Sequence, residues 1–83
     1  MKSIEYFILE KQEDGYKFNL LNIWNKDTLP DIIENIKQSN ISKTKNLIVD
    51  FENLQELDSI AIIYLISFLK KFKKHNISYL KRL

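Results

Sequence analysis

Apolar residues at every second position dominate the first quarter of the chain. This alternation predicts a strand over residues 3–10 and a second strand over about residues 16–23. Between them, segment 12–15 ends in the only glycine of the chain, which predicts a hairpin turn of the Asp-Gly kind. The two strands are therefore expected to pair antiparallel.

A helical spacing follows. Apolar residues three or four positions apart predict a first helix whose buried face consists of Leu29, Ile32, Ile33 and Ile36. Thr28 is expected to cap this helix, and Asp31 supplies the negative charge that favours a helix start. Pro30 is tolerated because the first turn needs no N–H from it. Polar residues over 37–46 predict the exit loop.

The second half of the chain repeats the strand–helix order. Segment 47–49 is apolar at every position and predicts a strand covered on both faces. A second helix is expected over 59–74, ended by His75 and Asn76, with a last short strand over 77–83. The order ββαβαβ predicts an α/β fold with a four-stranded mixed sheet and helices packed on it. Residues 1–83 are expected to form one domain.

Chemistry-bearing residues are scarce in this sequence. The 83 residues include no cysteine and one histidine, His75, which has no other ligand-type residue at metal-binding spacing. A glycine-rich phosphate loop and a supported Ser/His/Asp arrangement are also missing from the sequence. These observations predict a protein without enzymatic activity, metal or cofactor.

Targeting signals are equally scarce. Glu5 and Glu10 interrupt the N-terminal segment where a signal peptide needs an unbroken apolar region. The longest apolar run, 60–69, is about half of what a membrane span requires. The expected location of this chain is therefore the cytoplasm, with no membrane span of its own.

Charge is distributed unevenly along the chain. Residues 1–58 carry a formal charge of −4, whereas residues 59–83 contain six basic and no acidic residues. Such an asymmetry can mark a surface that binds nucleic acid or anionic lipid. The alternative is that the basic residues lie at a helix C-terminus, where cations complement the helix dipole. Tyr79, Lys81 and Arg82 are too few for a basic aromatic patch, so no nucleic-acid partner is predicted.

The most informative stretch of the sequence is 47–69. An apolar strand ends in Asp50, and Leu57-Asp58-Ser59 then opens a strongly apolar helix. This order and spacing resemble the STAS family, the fold of anti-sigma factor antagonists and of transporter regulatory domains. Trp24 lies where many family members have a strand end before the first helix, and it makes the chain most similar to STAS domains of Mla-type ABC transporter permeases.

The resemblance implies a function in phospholipid transport between bacterial membranes. It predicts a STAS-like regulatory domain that docks on the ATPase or permease subunits of the transporter, at the inner face of the inner membrane. The last helix of the family is missing from the sequence, so the chain is expected to be an N-terminal piece of a longer protein. A dimer of the isolated domain is also possible, because sheet and helix surface would be left uncovered.

An alternative function follows from the same residues. Ser59 aligns with the residue that is phosphorylated in stand-alone anti-sigma factor antagonists, whose partner is an anti-sigma factor kinase. However, Ile60 and Ala61 stand where those proteins have serine and glycine, which favours the permease domain. A simpler structural role is that Asp58 or Ser59 only caps the second helix.

The second helix has more apolar residues than one buried face needs. The expected core stripe is Ile62, Leu65, Ile66, Leu69 and Phe72. The apolar residues left over are Ile60, Ala61, Ile63, Tyr64 and Phe68. We expect the partner to contact Ser59, Asp58, Ile60 and Tyr64 at the head of this helix, and Asp50 to support the loop before it.

Overall fold

The structure is a computed structural model that describes residues 4–42 and 45–72, together with the backbone of residues 74–78. Within these residues the chain forms strands and helices in the order β1 Phe7–Lys11, β2 Gly15–Leu20, β3 Asn22–Trp24, α1 Leu29–Gln38, β4 Asn46–Asp50, β5 Leu54–Leu57, α2 Ser59–Leu69 and β6 Lys74–Ser78. The predicted α/β class is confirmed.

The main sheet is mixed. Strand β1 pairs antiparallel with β2, as predicted, and β4 lies between β2 and β6 and is parallel to both. The connections through α1 and α2 both move in the same direction along the sheet. Right-handed crossovers of this kind place both helices on one face.

A second, two-stranded sheet was not predicted. Asn22 adopts a left-handed backbone conformation with φ of 61°, which ends β2 and separates β3 from it. Strand β3 then pairs in parallel with β5, in the segment that was expected to be a polar turn. Leu54 of β5 is buried, and this apolar anchor holds the segment against the core. The predicted order ββαβαβ is therefore wrong in omitting these two strands.

Gly15 has a different role from the predicted one. Gln12 and Gly15 exchange backbone hydrogen bonds of 2.7 and 3.4 Å, so the hairpin loop consists of Glu13 and Asp14, not of Asp-Gly. Gly15 does not have a positive φ. A Cβ on Gly15 would collide with the carbonyl oxygen of Asn46 and lie 2.7 Å from its carbonyl carbon. Glycine is needed here because β4 begins against the β2 backbone.

Helix α1 covers the predicted residues, but its start is organised by Asn25. The Asn25 side-chain oxygen accepts hydrogen bonds from the backbone N–H groups of Asp27 and Thr28, at 2.9 and 3.0 Å. The Thr28 hydroxyl does not cap the helix; it donates to the Ile23 carbonyl at 2.8 Å. Thr28 therefore occupies the N-cap position, as predicted, but its side chain makes no capping hydrogen bond, because its hydroxyl is engaged with the chain before the helix.

The hydrophobic core lies between the main sheet and the two helices. Phe18 is fully buried at its centre, with its ring centroid 6.1 Å from that of Trp24 and 5.6 Å from that of Phe68. The Trp24 indole N–H donates to the Tyr6 carbonyl at 2.8 Å, which satisfies the one polar group of that buried side chain. Strand, turn and helix residues thus share one core.

On the other face of the main sheet, Ile8 of β1 and Ile48 of β4 are exposed. Ile48 is 37% exposed and Ile8 is 45% exposed. The two residues lie on the face opposite to Phe18 and Val49, since side chains alternate along a strand. The expectation that segment 47–49 is covered on both faces is therefore wrong for Ile48.

Helix α2 is shorter than predicted. It ends at Leu69, and the amides of Lys71 and Phe72 donate to the Phe68 and Leu69 carbonyls in a tightened final turn. Phe72 is buried, so the chain turns back toward the core before β6 begins. His75 lies in β6 rather than at a helix end, and the predicted last strand over 77–83 extends beyond the described residues.

Among the described residues, neither helix has the length and apolar character needed to cross a bilayer.

Candidate functional site

The head of α2 is anchored by Asp58. One carboxylate oxygen accepts a hydrogen bond from the Ala61 amide at 2.8 Å and thereby caps the helix. The other accepts from the Lys26 amide at 3.0 Å, and the Asp58 amide donates to the Trp24 carbonyl at 3.0 Å. Because both carboxylate oxygens bind backbone of the protein itself, Asp58 holds the head of α2 in place.

Ser59 is exposed at the first position of α2. Its hydroxyl forms no hydrogen bond with any part of the chain that the structure describes. Asp58 already satisfies the capping position, so the Ser59 hydroxyl is not needed for the fold. It is accessible both to a binding partner and to a modifying enzyme.

The solvent side of α2 is apolar. Four isoleucines, hereafter the isoleucine face, are exposed by 39–63%: Ile60, Ile62, Ile63 and Ile66. Ser59 precedes Ile62 and Ile63 by three and four residues, and side chains at these spacings are neighbours on a helix surface. The hydroxyl of Ser59 therefore lies beside the isoleucine face.

The predicted orientation of α2 is wrong for four residues. Ile62 and Ile66 were expected in the core but are exposed, whereas Ala61 and Phe68 were expected outside and are buried. The sequence contains nearly continuous apolar residues here, so two orientations of the helix would each bury a complete stripe. Packing of Phe68 against Phe18 accompanies the observed orientation.

Tyr64 lies at the border between the isoleucine face and the side of α2 that faces α1, one turn after Ile60. Its ring stacks on that of Phe68, with centroids 6.2 Å apart and planes 15° apart, on the flank that faces α1. Partial burial raises the pKa of the Tyr64 hydroxyl above its ordinary value of 10.0. Of the predicted contact residues, Ile60 and Tyr64 are therefore neighbours on the helix surface, whereas Ser59 and Tyr64 are not.

Asp50 lies at the end of β4 and is almost fully buried. One of its carboxylate oxygens accepts a hydrogen bond from the Glu52 amide at 2.8 Å, and the other lies 3.3 Å from the Lys17 ammonium group. These contacts orient the loop that leads from β4 to β5. Asp50 is therefore positioned to support this loop, and it is buried within the chain.

Sequence reasoning missed the contribution of Asn25. Besides starting α1, its side-chain amide donates to the Glu56 carboxylate at 3.3 Å, next to the head of α2. The signal was present, since an asparagine just before a helix favours an Asx turn, in which its side chain bonds the backbone two residues on. Its contact across to β5 depends on the unpredicted pairing of β3 with β5.

Among the residues that the structure describes, no group of three or more His, Cys, Asp or Glu side chains comes together in a way that could hold a metal ion. Comparison with protein families, with characterised proteins and with solved structures finds no match. What this site can do follows from its geometry and its residue types: an exposed apolar helix face, a helix start held by Asp58, and the Ser59 hydroxyl beside them.

Proposed function

We propose that this chain is a non-catalytic protein-interaction domain that docks a partner protein on the isoleucine face of α2. The observation that supports this proposal is the exposure of four isoleucines on one helix whose opposite side is buried. Removing apolar surface from water contributes about 25 cal/mol per Å², so a complementary apolar surface on a partner would be strongly attracted.

The partner that we propose is a phospholipid-transporting ABC transporter. Strand-end Asp50, the Asp58-Ser59 helix start and Trp24 resemble a STAS domain attached to a permease of this class. A domain of this kind would act at the inner face of the inner membrane by contacting permease or ATPase subunits. The two hydrogen bonds that Asp58 makes to Lys26 and Ala61 support such a role, because they keep the docking helix rigid.

Two substitutions test docking on α2. Ile63→Glu places a charge in the middle of the isoleucine face, and Ser59→Arg adds bulk at its N-terminal edge. Both residues are exposed, so both variants should fold, with changes in the free energy of unfolding within about 0.5 kcal/mol. Crosslinking in the source cells, with identification of crosslinked proteins by mass spectrometry, should show transporter subunits bound to the wild-type chain and lost from both variants.

Ile48→Glu is the matched control, since Ile48 is an exposed isoleucine on β4 of the main sheet. It should retain the crosslinked subunits. Equal crosslinking by Ile63→Glu and wild type would contradict docking on the isoleucine face. The wild type could instead crosslink to proteins other than transporter subunits, and Ile63→Glu could lose those crosslinks. That result would support the isoleucine face as the docking surface and reject the transporter as the partner.

A second candidate function is that of a stand-alone anti-sigma factor antagonist that is switched by phosphorylation. The exposed Ser59 hydroxyl beside Ile62 and Ile63 favours it. A phosphate would add about −1.5 to −2 charges next to an apolar contact surface and oppose docking. Incubation with the anti-sigma factor kinase should then add the mass of one phosphate to the wild type and none to Ser59→Ala.

A further inference from the structure

A groove of about 480 Å³ lies between α1 and α2, on the side of α2 away from Ile62 and Ile66. Its floor is apolar and consists of the buried side chains of Ile36, Ile41 and Phe68. A volume of this size is within the range of about 300–1,000 Å³ that is typical of sites for small organic ligands.

The rim of the groove is positively charged. Lys37 at the C-terminal end of α1 and Lys71 just after α2 are both exposed and both line the groove. No acidic side chain among residues 4–42 and 45–72 lines it. The polar groups that remain are neutral: the hydroxyl of Tyr64 and the amide of Asn40. An apolar floor with two cations at its edge is complementary to a molecule that has an alkyl part and one negative charge.

The length of the groove favours a small molecule over a partner helix. Along α2 the lining residues run from Tyr64 to Lys71, which corresponds to roughly 10 Å of helix or two turns. A docked helix uses anchors over at least this length, so it would have to cover Lys37 and Lys71 as well as the apolar floor, whereas a single alkyl chain needs only the floor.

We propose that the α1–α2 groove binds a small amphipathic carboxylate, of the class of medium-chain fatty acids. The alkyl chain lies on Ile36, Ile41 and Phe68, and the carboxylate lies between the ammonium groups of Lys37 and Lys71. The site is separate from the isoleucine face and does not depend on the proposed docking function. It assigns a ligand-binding role to the flank of α2 that carries Tyr64.

Titration of the full 15N-labelled chain with decanoate, followed by two-dimensional NMR, tests the proposal. Decanoate should shift the amide signals of Ile33, Ile41 and Tyr64 in a saturable manner. Decanol, which has the same chain but no charge, and decyltrimethylammonium, which has the opposite charge, should bind more weakly. Lys37→Gln and Lys71→Gln should each weaken decanoate binding about two- to fivefold, the effect of removing one exposed ion pair.

Lys11→Gln, on the edge strand β1, is the matched control and should bind decanoate as the wild type does. Equal binding of decanol and decanoate, or unchanged decanoate affinity in the Lys37→Gln/Lys71→Gln double variant, would overturn the proposal. Shifts confined to residues 60–63, or no saturable shifts at all, would overturn it as well.

Discussion

At the scale of single residues, Tyr64 links packing to pH. Its hydroxyl lies partly buried between α2 and α1, and burial raises its pKa above 10.0 because the phenolate is poorly solvated there. The folded chain therefore binds this proton more tightly than the unfolded chain does. The corresponding contribution to stability is complete below pH 10 and is lost as the pH rises through the folded-state pKa.

We therefore expect Tyr64→Phe, which removes the ionisable group, to flatten the alkaline decline of stability. The measurement is the midpoint of urea unfolding between neutral pH and a pH above 10, in the wild type and the variant. The variant should lose less stability than the wild type over that range. Parallel declines in the two proteins would contradict a buried Tyr64 hydroxyl.

At the scale of secondary structure, the orientation of α2 decides which residues are core and which are surface. Leu65 and Ile66 are neighbours in sequence and similar in size, but Leu65 is buried and Ile66 is exposed. A leucine truncated in a core leaves a cavity, whereas an exposed residue truncated on a helix loses little and gains helix propensity. The two residues thus form a matched pair.

Leu65→Ala should lower the free energy of unfolding by about 2–5 kcal/mol, and Ile66→Ala should change it by about 0.5 kcal/mol or less. Chemical denaturation monitored by circular dichroism measures both values. Comparable losses in the two variants would mean that Ile66 belongs to the core, as the sequence alone suggested.

The sequence predicted the existence of α1, α2, β1, β2 and β4, because their apolar spacing is strong. Strand β6, Lys74–Ser78, begins three residues before the predicted last strand and has only one apolar residue. The sequence did not predict the orientation of α2, since the run from Ile60 to Leu69 is apolar except for Ser67 and a single buried face cannot be identified. Strand β5 was missed for the opposite reason. Its short sequence, Leu54–Leu57, has two apolar residues, and its pairing with β3 depends on a contact 32 residues away in sequence.

At the scale of the candidate site, Asp58 and Ser59 could be placed at the head of a helix from local sequence alone. The amide of Lys26 as partner of Asp58 could not be predicted, because it depends on how β3 and β5 pair. Likewise, the position of Tyr64 on the side of α2 that faces α1 required the orientation of the helix.

At the scale of the whole molecule, the main sheet depends on a close approach between its hairpin and its central strand. The backbone of β2 at Gly15 contacts that of β4 at Asn46, so that even a methyl group would collide with a carbonyl. Backbone atoms cannot rotate away as a side chain can. The two halves of the chain must therefore separate if Gly15 acquires a side chain.

Gly15→Ala should destabilise the fold by about 1–3 kcal/mol or more. Without a steric clash, alanine at this non-positive φ would instead stabilise the fold by about 0.4–1 kcal/mol, because it reduces the conformational entropy of the unfolded chain. The sign of the change in thermal unfolding therefore separates the two cases. Asp14→Ala, in the exposed hairpin loop, is the control and should change the melting temperature little.

The hydrogen bond from the Lys26 amide to Asp58 connects two parts of the chain that are 32 residues apart in sequence. The same carboxylate accepts a hydrogen bond from the Ala61 amide within the first turn of α2. The negative charge is delocalised over both carboxylate oxygens, so a change at one oxygen affects the other. A phosphate on Ser59 or a protein bound at the helix head would polarise that carboxylate. The proton resonance of the Lys26 amide would thus report a phosphate or a bound protein at the head of α2, and it can be followed without attaching a label to the isoleucine face.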